Sequence, residues 1–277
     1  MQRAWLSSSL ARPRARFDLL VCLYLWLGGG CAPAVGPLFT TTDAGPAIVR
    51  PGMRLQYQLD GVLDPSVDAD LFVVDLFDTT SSLVEQLHTR GRVVVAYISA
   101  GSYEPWRPDV SALPATVIGK PLARYPEESW LDVRASSVRQ LMASRLALAT
   151  DKGFDGALLV SLDGYLTESG HDLTAQDQLD YNVWLSHQAA ARALVAGISS
   201  DWVDAETLAS DYDFAIHLNC LADGVCAELQ PYRAHGHAVF DLETSHDATT
   251  TCARAAGLAV PVTLKNEKFD AWLSVCP

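Results

Sequence analysis

The sequence predicts a TIM-type (β/α)8 barrel, one α/β domain behind an N-terminal signal segment and a tether. Three observations carry that expectation. Eight short apolar runs alternate with helical stretches along the 277 residues. Several of the runs are continuously Val, Ile and Leu, the composition of parallel strands buried on both faces. The turn after the first run lacks the glycine-rich phosphate fingerprint that a doubly wound open sheet normally carries there. Eight strand–helix units then favour a closed barrel over an open sheet.

Taken in order, the first strand is expected over Leu55–Leu59 and the second over Leu71–Phe77, with a helix over Thr80–Arg90 behind it. The third strand, Val93–Ser99, opens a long connection running to Arg134 that holds Tyr103, Glu104, Trp106, Pro108, Asp109, Trp130 and Asp132. A helix over Ser136–Asp151 leads into the fourth strand, Gly156–Leu162, whose exit turn carries Asp163 and Tyr165. A second long connection, Asp163 to Thr174, precedes a helix over Ala175–Arg192 with Leu179, Val183, Leu185, Ala189 and Ala193 at helical spacing. The remaining strands are expected over Leu194–Ser199, Phe214–Cys220, Ala238–Glu243 and Val260–Lys265, with a short helix over Ala205–Ser210. Both long connections leave a strand's carboxyl end, where barrels display their functional loops. Trp106 and Trp130 would stack on sugar rings there, or bury the loop against the barrel.

The first thirty residues read as a targeting segment. Arg3, Arg12, Arg14 and Arg16 make a basic start, Leu19–Leu27 is a short apolar core, and Gly28-Gly29-Gly30-Cys31 follows. A run this short is a signal peptide rather than a spanning helix. Small residues before a cysteine are similar to a bacterial lipobox, although Gly28 stands where the lipobox leucine is usual. Cys31 is thus expected to be the lipidated mature N-terminus of an exported, membrane-anchored protein; cleavage near Gly30 or Ala34 would leave it free. From Cys31 to Arg50 the chain is rich in Pro, Gly, Thr and Ala without apolar periodicity, a flexible tether.

The formal net charge of −13 argues against nucleic acid and favours neutral or cationic partners, or simply a soluble surface. Beyond Cys22 and Cys31 four cysteines remain, and four permit three pairings. Export favours disulfides. The expected pairs are Cys220–Cys226, a short loop after a strand, and Cys252–Cys276, tying the C-terminus to a preceding helix. Zinc is disfavoured, because no Cys-x-x-Cys pair and no finger-spaced histidine is present. His235 and His237 flank Gly236 before a strand and read as an exposed loop pair. No Gly-x-Ser-x-Gly, His-Glu-x-x-His or Walker loop appears, and no cofactor or metal is implied.

Several motifs recur in one order. They are Gln56-Tyr57-Gln58-Leu59, Val74-Asp75-Leu76-Phe77-Asp78-Thr79 and Tyr97-Ile98-Ser99-Ala100-Gly101-Ser102-Tyr103-Glu104, with Arg107-Pro108-Asp109. Trp130-Leu131-Asp132-Val133-Arg134, Gly153-Phe154-Asp155-Gly156, Asp163-Gly164-Tyr165, Leu173-Thr174 and Asp177-Gln178-Leu179 follow, then Ala238-Val239-Phe240 to Glu243 and Leu264-Lys265. Together they resemble glycoside hydrolase family 114, the endo-α-1,4-polygalactosaminidase-like TIM barrels, over about Leu55 to Cys276. The resemblance implies a polysaccharide partner, an amino-sugar polymer, gripped at the barrel mouth. Asp75, Tyr97, Tyr103, Glu104 and Trp106 would contribute from the first half of the chain, and Asp163, Tyr165, Glu243 and Lys265 from the second.

The same resemblance exposes a loss. Glycosidases use two carboxyl groups, one to protonate the leaving oxygen and one to attack or to activate water. The family places these in a fourth-strand Glu-Pro-Asp-Asn and a sixth-strand Asn-Glu-Gln-Cys. Here those segments are Leu158-Leu159-Val160-Ser161 and His217-Leu218-Asn219-Cys220, so Val160 and Leu218 stand at the two positions. Ser199-Ser200-Asp201 replaces a Lys-Asn-Asp. Asp163, Glu243, Asp75 and Glu104 are the acids near strand ends that would substitute, or that would only brace loop backbones. Strand alternation gives Asp163 the opposite parity from positions 158 and 160, so the turn must redirect it. The expectation is a carbohydrate-binding barrel with impaired catalysis; the alternative is an active glycosidase with relocated carboxylates.

Overall fold

The computed structural model describes residues 49–245 and 247–277. The signal segment 1–30, the Cys31 anchor and nearly all of the tether lie outside the described residues. Val49 is already buried in the barrel interior, so folded chain begins before the predicted end of the tether. No helix among the described residues is long and apolar enough to cross a membrane.

All eight predicted strands form, as β1 (Leu55–Gln58), β2 (Leu71–Asp75), β3 (Val93–Ser99), β7 (Gly156–Val160), β8 (Val195–Ile198), β9 (Phe214–Leu218), β10 (Ala238–Thr244) and β11 (Val262–Lys265). They pair in chain order and in parallel. Alternation sorts their side chains into two layers. Leu55, Tyr57, Leu71, Val73, Val95, Leu158, Phe214, Ile216 and Phe240 fill the interior. Phe72, Val74, Val94, Ile98, Leu159 and Ile198 face outward onto the helices α1 (Ser81–His88), α2 (Ser136–Lys152) and α3 (Ala175–Ala190). Helix ends follow their local chemistry. Thr174 and Asp177 form a reciprocal capping box at α3, and Gly153 ends α2 in the left-handed region at φ 85°.

The ring does not close through a β1–β11 ladder. The short strand β12 (Ser274–Val275) pairs antiparallel along β11 and occupies its free edge. Closure instead runs through Lys265 Nζ donating to Gln56 Oε1 at 3.0 Å and the Leu59 amide donating to the Phe269 carbonyl at 2.8 Å. Both expected disulfides are present. Cys220–Cys226 staples the short helix α5 (Cys220–Asp223), which lies in the chain between α4 (Ala205–Leu208) and α6 (Gln230–Ala234), and Cys252–Cys276 ties β12 to α7 (Ala248–Ala255).

The long third connection is not a plain loop. It folds into a small antiparallel sheet of β4 (Ser102–Tyr103), β5 (Ile118–Pro121) and β6 (Ser129–Leu131), ordered β4-β6-β5. Gly101 sets it against the barrel: a Cβ there would lie 1.7 Å from the Ser161 carbonyl oxygen, so no other residue fits without backbone movement.

Candidate active site

Three adjacent strands end on non-glycine residues in the left-handed region: Ser161 after β7 at φ 61°, Asp201 after β8 at φ 58° and Asn219 after β9 at φ 65°. Such residues are uncommon and cluster where local bonding holds them. Asn219 is held by its Oδ1 accepting from the Thr244 amide and hydroxyl, Asp201 by donors from Tyr165 and Asn182. These reversals stop the strands earlier than their apolar runs and open the carboxyl end of the barrel into a cavity of about 700 Å³.

Val160 and Leu218 both line that cavity, on either side of β8. Asp163 lines it too, despite its parity. The left-handed Ser161 supplies the redirection that simple strand alternation forbids. Among the described residues no side chain pairs with the Asp163 carboxyl, and burial pushes it up.

Asp75 and Glu104 reach the cavity locked together. Arg107 donates from Nη1 and Nη2 to Asp75 at 3.0 and 2.6 Å, and from Nε and Nη2 to Glu104 at 2.9 Å each. Asp75 Oδ1 also accepts from the Phe77 and Asp78 amides, which ends β2 two residues before its apolar run does. Their carboxylates therefore hold the mouth together rather than standing free.

Glu243 lies outside the cavity lining. It shares the outward parity of Val239 and Asp241, and its Oε1 accepts from the Leu221 and Ala222 amides at 3.0 and 3.1 Å. Asp241 accepts from the Cys220 amide at 2.9 Å, and burial, followed by the charge and hydrogen bond of Glu243, pushes it up. The two carboxyls orient α5 and its disulfide. Lys265 is fully buried in the seam between Gln56 and the Asp270 carbonyl and is likewise no part of the lining; burial pulls it down to about 8.

The aromatic candidates divide. Trp106 lines the cavity with 52% of its surface exposed, and Tyr97 lines it from β3. Tyr103 packs against the outer core instead, and the Tyr165 hydroxyl donates to Asp201 at 3.1 Å and Asp204 at 3.0 Å outside the lining. Trp130 is buried in the small sheet and also lines the cavity.

One lining acid had no sequence signal. Glu128 precedes β6 in a stretch without periodicity, and the β4–β6 ladder carries it over the mouth beside Ser102, whose hydroxyl donates to Glu128 Oε2 at 2.6 Å. With Arg107 already engaged, the lining is rich in carboxyls: it also holds Asp78, Glu128, Asp163, Glu267 and Glu168, the last paired with Lys120 at 3.0 Å, alongside Arg124. Among the described residues, the three groups close enough to hold a metal are Cys220, Cys226 and Asp241, and both sulfurs are spent in the disulfide. His235 and His237 stack at 5.9 Å on the opposite side of the barrel, at the entry to β10.

The model of glycoside-hydrolase family GH114 matches residues 39–277. Among solved structures, the chain is similar to Aspergillus fumigatus Ega3 in complex with galactosamine, with 30% identity and a TM-score of 0.78 over 85% of this chain and 99% of that one. The glycoside hydrolase domain of Pseudomonas aeruginosa PelA shares the fold at 15% identity and a TM-score of 0.65, over 80% and 98% of the two chains. The PgaB (BpsB) glycoside hydrolase domain of Bordetella bronchiseptica does so more distantly, at 11% identity and a TM-score of 0.50 over 78% and 94%. Comparison with curated proteins gives no match.

Proposed function

The chain belongs to glycoside hydrolase family 114, and from that membership we propose an exported barrel that binds a cationic amino-sugar polysaccharide and has lost efficient hydrolysis. One observation carries the reading. The two positions at which the resemblance implies carboxylates both open into the mouth cavity, and both are aliphatic, Val160 and Leu218. Neither side chain can transfer a proton or attack an anomeric carbon. Of the four substitutes the sequence offers, Glu243 is turned away and Asp75 and Glu104 are clamped by Arg107. Of the four, Asp163 alone lines the cavity without a side-chain partner among the described residues, and a glycosidase needs two.

The binding half of the reading rests on what the cavity keeps. Its acids outnumber its free cations, Trp106 offers an exposed ring face, and the similar Ega3 structure holds galactosamine. A polymer of protonated amino sugars matches that combination of negative potential and stacking surface. The basic start and short apolar core of the leader support export, and Cys31 supports a lipid anchor.

The test pairs a reducing-end assay with a binding titration on an α-1,4-linked galactosamine-rich polymer. Saturable binding that weakens with salt, with hydrolysis near background, is expected. Robust cleavage by the wild type would establish the rival reading of relocated acids, and absence of binding would remove the carbohydrate reading.

A further inference from the structure

The exits of β7 and β8 are joined by one cluster of polar side chains. Asn182 of α3 donates from Nδ2 to the Leu162 carbonyl at 3.0 Å and to Asp201 Oδ2 at 2.7 Å. The Tyr165 hydroxyl lies 3.1 Å from Asp201 Oδ1 and 3.0 Å from Asp204 Oδ2. With both acids ionised, a single phenol proton is divided between two carboxylates, since the hydroxyl has one donor. With a proton on Asp201 every partner is served. Oδ2 is committed as acceptor to Asn182, so that proton sits on Oδ1 and is donated to the Tyr165 oxygen, and the phenol gives its own proton wholly to Asp204. Asp201 is 1% exposed, and buried carboxyls are ordinarily paired with a cation or held neutral. The groups facing it are Asp204, Tyr165, Asp163 and Asn182, with the Tyr212 phenol and that of Tyr232 on α6; none is cationic. His217, stacked on the neighbouring Trp202, pairs with Glu228 instead. Burial, and then the Asp204 charge, push the Asp201 carboxyl up to about 7.

We infer that a proton on Asp201 latches the turn Gly164–Leu166 to the exit of β8 and so fixes Asp163 in the cavity, and that loss of this proton to solvent as pH rises releases the turn. Asp163 immediately precedes the turn and lines the cavity. On its other side the turn rests on the small sheet, where a Cβ at Gly164 would meet the Trp130 ring at 3.2 Å. Asn182 holds the Leu162 carbonyl in either protonation state, which confines the release to the residues beyond Leu162. Asp201 is therefore a positioning residue, acting on Asp163 through Tyr165. The latch operates whether or not the cavity takes a sugar.

Hydrogen exchange on the full chain, corrected for the intrinsic pH dependence of exchange, reads the latch at two amides. These are Leu166 and Thr167, which donate to the Asp163 and Gly164 carbonyls. Wild-type protection there should fall about fivefold between about pH 5 and about pH 9, the worth of one hydrogen bond. Asp201→Asn copies the protonated form, its amide donating to Tyr165 and its carbonyl accepting from Asn182, and should keep the high protection throughout. Asp204→Asn leaves one carboxylate for the one phenol proton and should be equally flat. Tyr165→Phe removes the latch and should give low protection at every pH. A wild type whose protection does not change with pH overturns the latch. So does a fall preserved in Asp201→Asn or Asp204→Asn, or protection in Tyr165→Phe equal to that of the wild type at low pH.

Discussion

Arg107 holds Asp75 in a bidentate pair, with Nη1 3.0 Å from Oδ1 and Nη2 2.6 Å from Oδ2. The pair is nearly buried, and the same guanidinium binds Glu104, so one cation anchors the exits of β2 and β3. Removing it strands Asp75 in a poorly solvated mouth and leaves Glu104 only Arg145 at 3.8 Å. Arg107→Ala is expected to cost about 3–5 kcal/mol of stability, read as a shift in the denaturant midpoint. A change below about 1 kcal/mol, the range of exposed pairs, would mean the mouth is wetter than its burial implies.

On the proposed reading of impaired hydrolysis, the two aliphatic positions are where catalysis would be restored. General acid–base assistance is worth about 10²–10⁴ in rate, so Val160→Asp with Leu218→Glu should raise polymer cleavage above the wild-type background. Either change alone should fall short, since both groups are required. Val160 is buried, and a carboxylate there should lower stability. Reducing-end release from the three variants checks the order. Unchanged background in a folded double variant would show that positions 160 and 218 do not bear the roles the family implies.

Asp201 gives a pH signature. Burial, and then the Asp204 charge, push its carboxyl up to about 7, against about 3.9 in an unfolded chain. Between those values the native state binds more protons than the unfolded one, so this group's contribution to stability falls as pH rises through the window. Asp201→Asn should therefore show a shallower loss of stability from about pH 4 to about pH 7 than the wild type. Parallel slopes in midpoint measurements would remove Asp201 as the source.

The C-terminal disulfide holds the seam. Cys252–Cys276 spans 24 residues and tethers β12 onto the edge of β11. Replacing both cysteines by alanine should cost about 3 kcal/mol on the loop-entropy account, with amide exchange rising first in β12 and in the Phe269–Leu59 closure.

The proposed membrane attachment would turn on Cys31. One or two acyl chains would retain the protein on membranes, at about 0.8 kcal/mol per buried methylene. Fractionation of wild type and Cys31→Ser should find the variant released to the soluble phase; equal retention of both would rule out a lipid at this residue.

The barrel was legible in the chain because its strands are apolar on both faces. Val93–Ser99 and Gly156–Val160 announce buried parallel strands without any tertiary information, and the cysteine positions announced both disulfides. Period-two alternation also held the signal that Glu243 points outward with Asp241, away from Val160 and Leu218. It held nothing about Glu128. That residue reaches the mouth only because β4 and β6 pair and fold back, and Asp163 does so only because Ser161 takes the left-handed region. Sequence periodicity reports which side of its own strand a residue occupies. Which loops converge over the barrel, which acids Arg107 neutralises and which carboxyls line the mouth depend on distances between segments far apart in sequence. Those distances exist only once the sheet has curled and β12 has filled its seam.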